Sequence, residues 1–556
     1  MRDDAQSPTG KTFANTEAVD FVVIGSGIAG GSVARELTRR GFDVLVLEQG
    51  RHVPPADMEH DEIGAFVSNR WTNSPDDSPQ SWRKTPDAKA EKRHFLQYAR
   101  VVGGTTLHFS ANYWRFRPID FNEASVRGAV PGANVADWPI TYEELEPYYT
   151  AVEEAVGVSG EVSSDPREPK RSKPYPLPPL NVTGPGVLLE IGARKLGWSS
   201  QAAPMAILSR AYKGRQPCHN CGFCLAFPCE WGAKSGSNWT MIPDALRSGR
   251  CEVRSNSYVH RIETDDQGRV TGVLYFDKER KEQRQKAKAV VLSANGAETP
   301  RLLLMSASNR FPNGLANSSG MVGKHLMFNG NTVADGLFEH EVHGHRGPVV
   351  TRISQEHYIP DPSLGFFGGG GMDMRYDVPA MIRTVSMPPD GPSWGSAWKA
   401  RAKEWFSHSA AAYGHTSSLP VATNAITLDP ELKDAWGMPA IRTTFQEHEH
   451  DLRLFKFLQD RTMELLSAAG ARKTYAMPIN DVPGSAVHLL GTARMGNDPA
   501  SSVVDRYHRA HDVKNLFIVD GSSFVTSGRG QPTMTIQALA FRAADHIAQF
   551  ASRREI

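Results

Sequence analysis

The sequence predicts an α/β fold, and three observations in its N-terminal part support that prediction. Residues 20–24 form a short apolar run with the pattern of a buried parallel strand. A helix-like segment follows at 31–40 and ends at a glycine, and a second apolar run occupies 43–48. A strand, a helix and a strand in this order are typical of a βαβ unit with parallel strands.

A glycine motif marks the turn between the first strand and the helix. Gly25, Gly27 and Gly30 have the spacing G-x-G-x-x-G, which suits a tight turn, the approach of a pyrophosphate and close helix packing. Glu48 ends the second strand, where an acid binds ribose hydroxyls. These features predict Rossmann-type dinucleotide binding, with a glycine-rich turn in an unrelated α/β protein as the alternative. The motif alone leaves NAD and FAD open.

Composition and charge exclude several functional classes. The chain has 62 Lys and Arg against 61 Asp and Glu, and its net charge of +1 predicts no nucleic-acid partner. No stretch approaches the roughly 18 consecutive apolar residues of a membrane-spanning helix. The first twenty or so residues lack the apolar core of a secretory signal, so the sequence alone predicts a cytoplasmic location.

Four of the five cysteines form one cluster. Cys218, Cys221, Cys224 and Cys229 have the spacing C-x2-C-x2-C-x4-C. Short consecutive spacings favour an iron–sulfur cluster, because several thiolates of one loop can bind its irons. Zinc, and thiols or disulfides without a metal, are the alternatives. Cys251 stands apart at a strand start and is expected to be a small buried apolar residue.

Three further segments carry motifs. Residues 102–106 (Val-Gly-Gly-Thr-Thr) and 294–304 (Ala-Asn-Gly-Ala-Glu-Thr-Pro-Arg-Leu-Leu-Leu) are two of them. The third is C-terminal and combines His488-Leu-Leu-Gly-Thr with 515–521 and 531–533. In this order, and with the N-terminal glycine motif, they resemble the glucose-methanol-choline (GMC) flavoprotein oxidoreductases over residues 20–545.

The resemblance implies a chain of two interleaved lobes. Residues 1–330 and 485–556 would form a Rossmann-type FAD-binding lobe, with the cysteine-rich loop 215–236 inserted. Residues 331–484 would form a substrate-binding lobe built on a largely antiparallel sheet. Within that lobe the glycine-rich stretch 368–371 is expected to be a loop.

The family resemblance also implies a catalytic pair. His488 matches the active-site histidine, and a neutral imidazole can accept a hydroxyl proton while hydride goes to flavin N5. The second position, where the family has His or Asn, is Gln531. A glutamine can hold the substrate oxygen by hydrogen bonds but cannot act as a base. Either His488 works alone as the base and Gln531 orients the substrate, or the local register of the motif shifts.

The resemblance places further residues at the FAD. Pro532 and Thr533 open the last helix, whose N-terminus would lie near flavin N1. His108 lies where some relatives bond FAD covalently, and covalent attachment is left open. The complete set expected to contact FAD is Gly25, Gly27, Gly30, Glu48, Gly103, Gly104, His108, Asn112, Val259, Asp520, Gly521, Pro532 and Thr533.

Multi-subunit bacterial sugar dehydrogenases of the family carry an iron–sulfur cluster on a similar loop with three cysteines. Here the extra cysteine leaves open a 4Fe-4S cluster on all four thiols or a 3Fe-4S cluster on three. We therefore expect an FAD-dependent dehydrogenase for a sugar, glycoside or other alcohol, with an external acceptor such as a cytochrome subunit. An oxygen-using oxidase and a non-catalytic flavin-fold subunit are the alternatives. A small signal-bearing partner subunit would make the location periplasmic.

Overall fold

A computed structural model describes residues 10–376 and 380–556. The strands are β1 (Val19–Ile24), β2 (Val44–Leu47), β3 (Gln80–Arg83), β4 (Glu91–Lys92), β5 (Gln201–Ala202), β6 (Cys251–Arg254), β7 (Tyr258–Thr264), β8 (Val270–Phe276), β9 (Glu282–Leu292), β10 (Asn331–Leu337), β11 (Arg352–Ser354), β12 (Gly370–Arg375), β13 (Ser409–Thr416), β14 (Ala425–Lys433), β15 (Pro439–Thr444), β16 (Lys473–Ala476) and β17 (Leu516–Ile518). The helices are α1 (Ile28–Arg39), α2 (Glu62–Phe66), α3 (Pro118–Phe121), α4 (Glu123–Arg127), α5 (Tyr142–Val156), α6 (Gly184–Leu196), α7 (Met241–Arg247), α8 (Asn295–Met305), α9 (Ala380–Val385), α10 (Gly395–His408), α11 (Glu449–Ala469) and α12 (Thr533–Ser552). No helix of the described residues is long and apolar enough to cross a membrane.

The first sheet contains the N-terminal βαβ unit. Strands β6, β2, β1, β9 and β17 pair in parallel in that spatial order. Alternate residues of β1 enter two different apolar cores, with Val22 on one face and Phe21 and Val23 on the other. Burial on both faces is why these strands are uninterrupted apolar runs. The α/β prediction is confirmed.

Strand β9 belongs to two arrangements. Its first half, from Glu282 to Lys286, pairs antiparallel with β8, which in turn pairs with β7. Its second half, from Ala287 to Leu292, pairs in parallel with β1, and its last three residues also pair with β17. The strand thus joins an antiparallel hairpin to the parallel sheet.

The second sheet, called here the substrate sheet, has the order β16-β10-β13-β12-β11-β5, and every pairing is antiparallel. Side chains alternate along β13: Ala410 and Ala412 join a core with α11, whereas Tyr413 and His415 line a cavity on the opposite face. The antiparallel architecture is confirmed. The domain boundaries stay a prediction, and β5 comes from outside 331–484.

The prediction of a loop at 368–371 is wrong for its second half. Gly370 and Gly371 begin β12 and pair with Thr416 and His415. A Cβ at Gly370 would overlap the His415 carbonyl oxygen, so a residue without a side chain is needed where the two strands approach closely. A third, four-stranded sheet has the order β14-β15-β3-β4.

Candidate active site

A cavity of about 620 Å³ lies between the two large sheets. One wall includes residues that follow β1, β2 and β17, at the carboxyl ends of parallel strands, where α/β folds bind ligands. The cavity brings together most of the predicted site residues, namely Gly25, Gly27, Glu48, Gly104, His108, Asn112, Val259, His488, Asp520, Gly521, Gln531, Pro532 and Thr533. Gly30 and Gly103 are not among the lining residues.

The glycine turn has the geometry that a dinucleotide requires. A Cβ on Gly27 would meet no atom within 4 Å and would project from the cavity wall, so space is open at the N-terminus of α1. A Cβ on Gly30 would overlap the Gly25 carbonyl oxygen, so the close packing of helix and strand depends on this glycine. Gly103 donates its N–H to Ser26 Oγ at 3.0 Å and thereby joins the second predicted flavin loop to the turn.

The predicted ribose acid, Glu48, is buried and supports the same turn. Its Oε2 accepts hydrogen bonds from Ser26 N at 3.0 Å and Ser26 Oγ at 2.6 Å, and Oε1 accepts from Gly50 N at 3.0 Å. Burial raises the pKa of Glu48, and these hydrogen bonds oppose the rise. Glu48 thus shapes the glycine turn from within, as well as facing the cavity.

Several polar atoms in the cavity wall fit a polar cofactor. His108 Nε2, Asn112 Oδ1, Gln49 Nε2 and His488 Nδ1 are buried and have no hydrogen-bond partner among the described residues. Buried polar atoms normally have a partner, so their gathering around one cavity indicates that a ligand completes them. Burial, together with the nearby Lys234 charge, lowers the pKa of His108 to about 4 and keeps the ring neutral.

The C-terminal motif contributes the opposite edge of the cavity. Asp520 Oδ1 accepts a hydrogen bond from Ser522 N at 2.7 Å, and its Oδ2 accepts from Thr299 Oγ1 at 2.6 Å. Its carboxylate therefore fixes the turn that carries Gly521. Pro532 and Thr533 begin α12, a helix of 20 residues, and bring the positive end of its dipole to the cavity.

His488 has the properties of a neutral proton acceptor. Burial, and to a lesser extent the nearby His415, lower the pKa of His488 to about 3. A neutral imidazole has a nitrogen lone pair available for a hydroxyl proton. The ring lines the cavity, and its buried Nδ1 has no partner among the described residues.

Sequence reasoning missed the residues of the substrate sheet that face His488. Gln531 Nε2 lies 3.3 Å from His415 Nδ1, and the His415 ring also contacts Asn331 and Asp373. Arg375 and Tyr413 line the same wall. No local motif marks these positions, because they come from three strands that are distant in the sequence.

A buried ionic network at the other end of the cavity was also missed. Tyr98 donates to Glu298, and Glu298 is paired with Arg100 at 3.3 Å and with Arg301 at 3.0 Å. Burial raises the pKa of Glu298. The charges of Arg301 and Arg100 outweigh this effect and hold that pKa at about 2. A charged Arg100 directly before the Val-Val-Gly-Gly segment is the one signal that could have indicated this network.

The cysteine-rich loop forms part of the cavity wall. Leu225 and Ala226 line the cavity, and the backbone N–H of Ala226 donates a hydrogen bond to the backbone carbonyl oxygen of His108. Behind them, the buried Lys234 ammonium donates to the carbonyl oxygens of Phe227 at 2.6 Å and of Phe109 and Cys224 at 2.8 Å. Burial lowers the pKa of Lys234, and the thiols of Cys224, Cys229 and Cys221 oppose this.

The four thiols do not form a preassembled metal site. Cys221 is exposed, whereas Cys218, Cys224 and Cys229 are half-buried. Across residues 10–376 and 380–556, no three side chains of Cys, His, Asp or Glu are grouped to hold a metal ion. The iron–sulfur cluster therefore stays a prediction. Cys251 is fully buried in an apolar core, as expected.

Comparison with known proteins agrees with this geometry. The N-terminal GMC oxidoreductase profile matches residues 19–330 and the C-terminal one matches 420–540. The chain is similar to 2-methyl-1,2-propanediol dehydrogenase of Mycolicibacterium austroafricanum, with 35% identity and 96% of each chain covered. It is also similar to the fructose dehydrogenase large subunit of Gluconobacter japonicus, with 31% identity, 96% of this chain and 98% of that one covered.

Solved structures share the fold. The structure is similar to that of pyridoxine 4-oxidase from Mesorbium loti, with a TM-score of 0.62 and 18% identity. The match covers 95% of this chain and 99% of that one. The family profiles, the relatives and the shared fold all point in one direction. The chain belongs to the GMC oxidoreductase family.

Proposed function

We propose that this chain is an FAD-dependent dehydrogenase that oxidises a hydroxyl group of a sugar, a glycoside or another alcohol. In this proposal electrons leave through an iron–sulfur cluster to an external acceptor such as a cytochrome subunit. The relatives at 35% and 31% identity are named as dehydrogenases of a diol and of fructose, which supports this reaction class.

One observation carries the proposal: a neutral His488 lies in the same cavity as the dinucleotide turn. When bound, FAD supplies a hydride acceptor at its N5. The role of His488 is to take the hydroxyl proton on a ring nitrogen as the carbon loses hydride. Gln531, whose side-chain nitrogen lies beside His415, holds the substrate oxygen.

Placement and chemistry both support a cluster on the cysteine loop. Leu225 lies in the cavity wall next to Cys224, so the thiols are close to the cofactor. The buried Lys234 ammonium has the Cys224, Cys229 and Cys221 thiols as neighbours, and a cluster bound by thiolates would place negative charge beside this cation. Because the thiols are not preassembled, binding would have to draw the loop together. When bound, the cluster would supply single-electron transfer.

The partners are proposed on the same basis. One relative is named as a large subunit, which supports a partner subunit for this chain as well. Export with a signal-bearing partner would make the location periplasmic, and the chain alone would be cytoplasmic.

The test is an anaerobic visible spectrum of the holoenzyme with analysis of iron and acid-labile sulfide. The dehydrogenase proposal expects flavin bands beside a broad absorbance, iron and sulfide in the protein, and reduction of artificial acceptors by candidate sugars. Protein without iron or sulfide that releases hydrogen peroxide would support the alternative, an oxidase. The lack of a preassembled thiol set in the described residues is the observation that favours that alternative.

His488→Ala tests the catalytic role. Loss of the base is expected to lower kcat by about 10²- to 10⁴-fold while FAD stays bound. Unchanged turnover would contradict the assignment and support a non-catalytic flavin-fold subunit.

A further inference from the structure

Three neighbouring strands of the substrate sheet place a charged histidine system opposite His488. Asn331 on β10 is paired directly with His415 on β13, and Asp373 on β12 lies diagonally across from it. In antiparallel strands such pairs share a face, so the three side chains meet on the side of the cavity. His415 and Asp373 are 3% and 0% exposed.

Both ring nitrogens of His415 face an acceptor. Nε2 lies 2.7 Å from Asp373 Oδ2, and Nδ1 lies 2.7 Å from Asn331 Oδ1. Each nitrogen also has a longer contact with a donor, Nε2 with an Arg375 guanidinium nitrogen at 3.1 Å and Nδ1 with Gln531 Nε2 at 3.3 Å. A carboxylate oxygen and an amide oxygen only accept hydrogen bonds, so the two shorter contacts are both satisfied when the ring carries two N–H groups. The doubly protonated ring is an imidazolium, and Asp373 balances part of its charge.

Asp373 also accepts hydrogen bonds from a second cation, the Arg375 guanidinium. Arg375 Nε donates to Asp373 Oδ1 at 2.6 Å, and a second nitrogen of its guanidinium contacts Oδ2. The Asp373 carboxylate is thus shared by the Arg375 guanidinium and the His415 ring. Arg375 stacks over the Tyr413 ring at 4.4 Å, which keeps the guanidinium in the cavity wall.

The chain brings this charge close to the C-terminal motif. Gly530 has a φ of +125°, and a Cβ there would lie 2.9 Å from the Trp114 ring and 3.3 Å from the His415 side chain. Only glycine permits this approach, which places Gln531 Nε2 at 3.3 Å from His415 Nδ1.

We propose that His415 is a positioning residue of the oxidation: held as an imidazolium between Asn331 and Asp373, it stabilises the negative charge that develops on the substrate oxygen at His488 and Gln531. In the step concerned, the O–H proton goes to His488 and the C–H electron pair leaves with hydrogen as hydride to FAD, so a carbonyl remains. A fixed positive charge in a buried site favours this charge development without reorganisation. The inference rests on the proposed function.

After burial, the charge of His415 is the second cause of the low pKa of the base His488. The charged or titratable groups around His415 are Asp373, Arg375, Tyr413 and His488. Removing the cation raises the pKa of His488, so the base becomes protonated at a higher pH. The acid limb of kcat/KM should therefore move to higher pH in a variant without the imidazolium.

The experiment compares His415→Gln with a matched control, His357→Gln, in the holoenzyme. His357 is a half-buried histidine, and it lies outside the cavity lining. We expect kcat of H415Q to fall about 100-fold, as for removal of one electrostatic donor, with the acid limb shifted upwards. KM should stay within about threefold, because the charge acts on the transition state. H357Q should retain the wild-type kcat and pH profile.

Nitrogen NMR of ¹⁵N-histidine-labelled wild-type holoenzyme, assigned with H415Q, supplies a readout that needs no substrate. Two protonated ring nitrogens at neutral pH support the proposal, and an unprotonated one overturns it. Turnover of H415Q within about threefold of the wild type would also overturn it. If wild-type enzyme oxidises no hydroxyl compound, the proposed function fails separately. If H415Q does not fold, His415→Asn is used to assign the His415 ring-nitrogen signals. The protonation state of His415 is then read from the wild-type spectrum.

Discussion

The backbone N–H of Ala226 donates a hydrogen bond of 3.1 Å to the carbonyl oxygen of His108. This bond joins the cysteine-rich loop to the loop that faces the cofactor cavity, and Leu225 and Ala226 complete the wall between them. The position of the thiols is therefore coupled to the position of the flavin site. Variants of the cysteine-rich loop and variants of the cofactor-binding turn can each be tested.

The cysteines provide the first prediction. Alanine at Cys218, Cys221, Cys224 or Cys229 should lower the iron content of anaerobically purified protein, because each would remove a candidate thiolate ligand. Alanine at Cys251, which is buried in an apolar core, is the control and should leave iron unchanged. Equal iron in all five variants would show that this loop binds no cluster. A loss in three variants only would indicate the three-iron form.

Lys234 provides a prediction about stability. Lys234→Met should reduce the free energy of unfolding by at least about 2 kcal/mol, because three buried carbonyl oxygens lose their donor. Lys213→Met is the control, since Lys213 donates to one carbonyl oxygen at the surface, and an effect below about 0.5 kcal/mol is expected. Chemical unfolding curves measure both. Equal effects in the two variants would refute a supporting role for the buried ammonium.

Glu48 provides a prediction about cofactor affinity. Glu48→Ala leaves the N–H groups of Ser26 and Gly50 without their acceptor and loosens the glycine turn. A loss of about 1–3 kcal/mol in binding corresponds to an FAD affinity about 5- to 150-fold weaker. Titration of apoprotein with FAD, followed by flavin fluorescence, measures it. Affinity equal to that of the wild type would show that the turn does not depend on this carboxylate.

Glu447 provides a prediction about pH. Burial, with Asp451 and Asp481 nearby, raises the pKa of Glu447 well above its ordinary value of 4.5. Such a carboxyl contributes stability at low pH that is lost as pH rises from 4.5, because the unfolded chain releases the proton first. Glu447→Gln should therefore raise Tm more at about pH 8 than at about pH 5.

The control for this experiment is Glu449→Gln. Glu449 is exposed on the first turn of α11 and pairs with Arg453 at 2.9 Å. Its Tm change should be small at both pH values, because exposed ion pairs contribute little. A Tm gain of E447Q that does not grow with pH would contradict the assignment.

Local patterns were sufficient to predict the N-terminal unit. The predicted strands 20–24 and 43–48 are observed as Val19–Ile24 and Val44–Leu47, because both are apolar runs bounded by glycine or charge. The helix begins earlier than predicted, at Ile28. Gly30 and Gly31 are poor helix formers, but they let α1 pack against β1 and α7, so tertiary contact overrides propensity.

The wall of the cavity on the substrate sheet could not be predicted in the same way. Asn331, Asp373 and His415 have no common motif and meet only through the register of β10, β12 and β13. Register across strands far apart in the sequence follows from tertiary packing, which no window of residues contains. For the cysteines the opposite holds, since the spacing predicts a ligand set that the described structure does not assemble.

The alternation along β13 has a consequence for engineering. Ala410 and Ala412 are fixed by the core beneath α11, whereas Tyr413 on the same strand faces the cavity. The cofactor turn is built from other segments of the chain. A library at Tyr413, with Asn331, Asp373 and Arg375 kept because they surround His415, would therefore change the cavity wall on this sheet while the nucleotide-binding turn and the helix-facing core keep their residues.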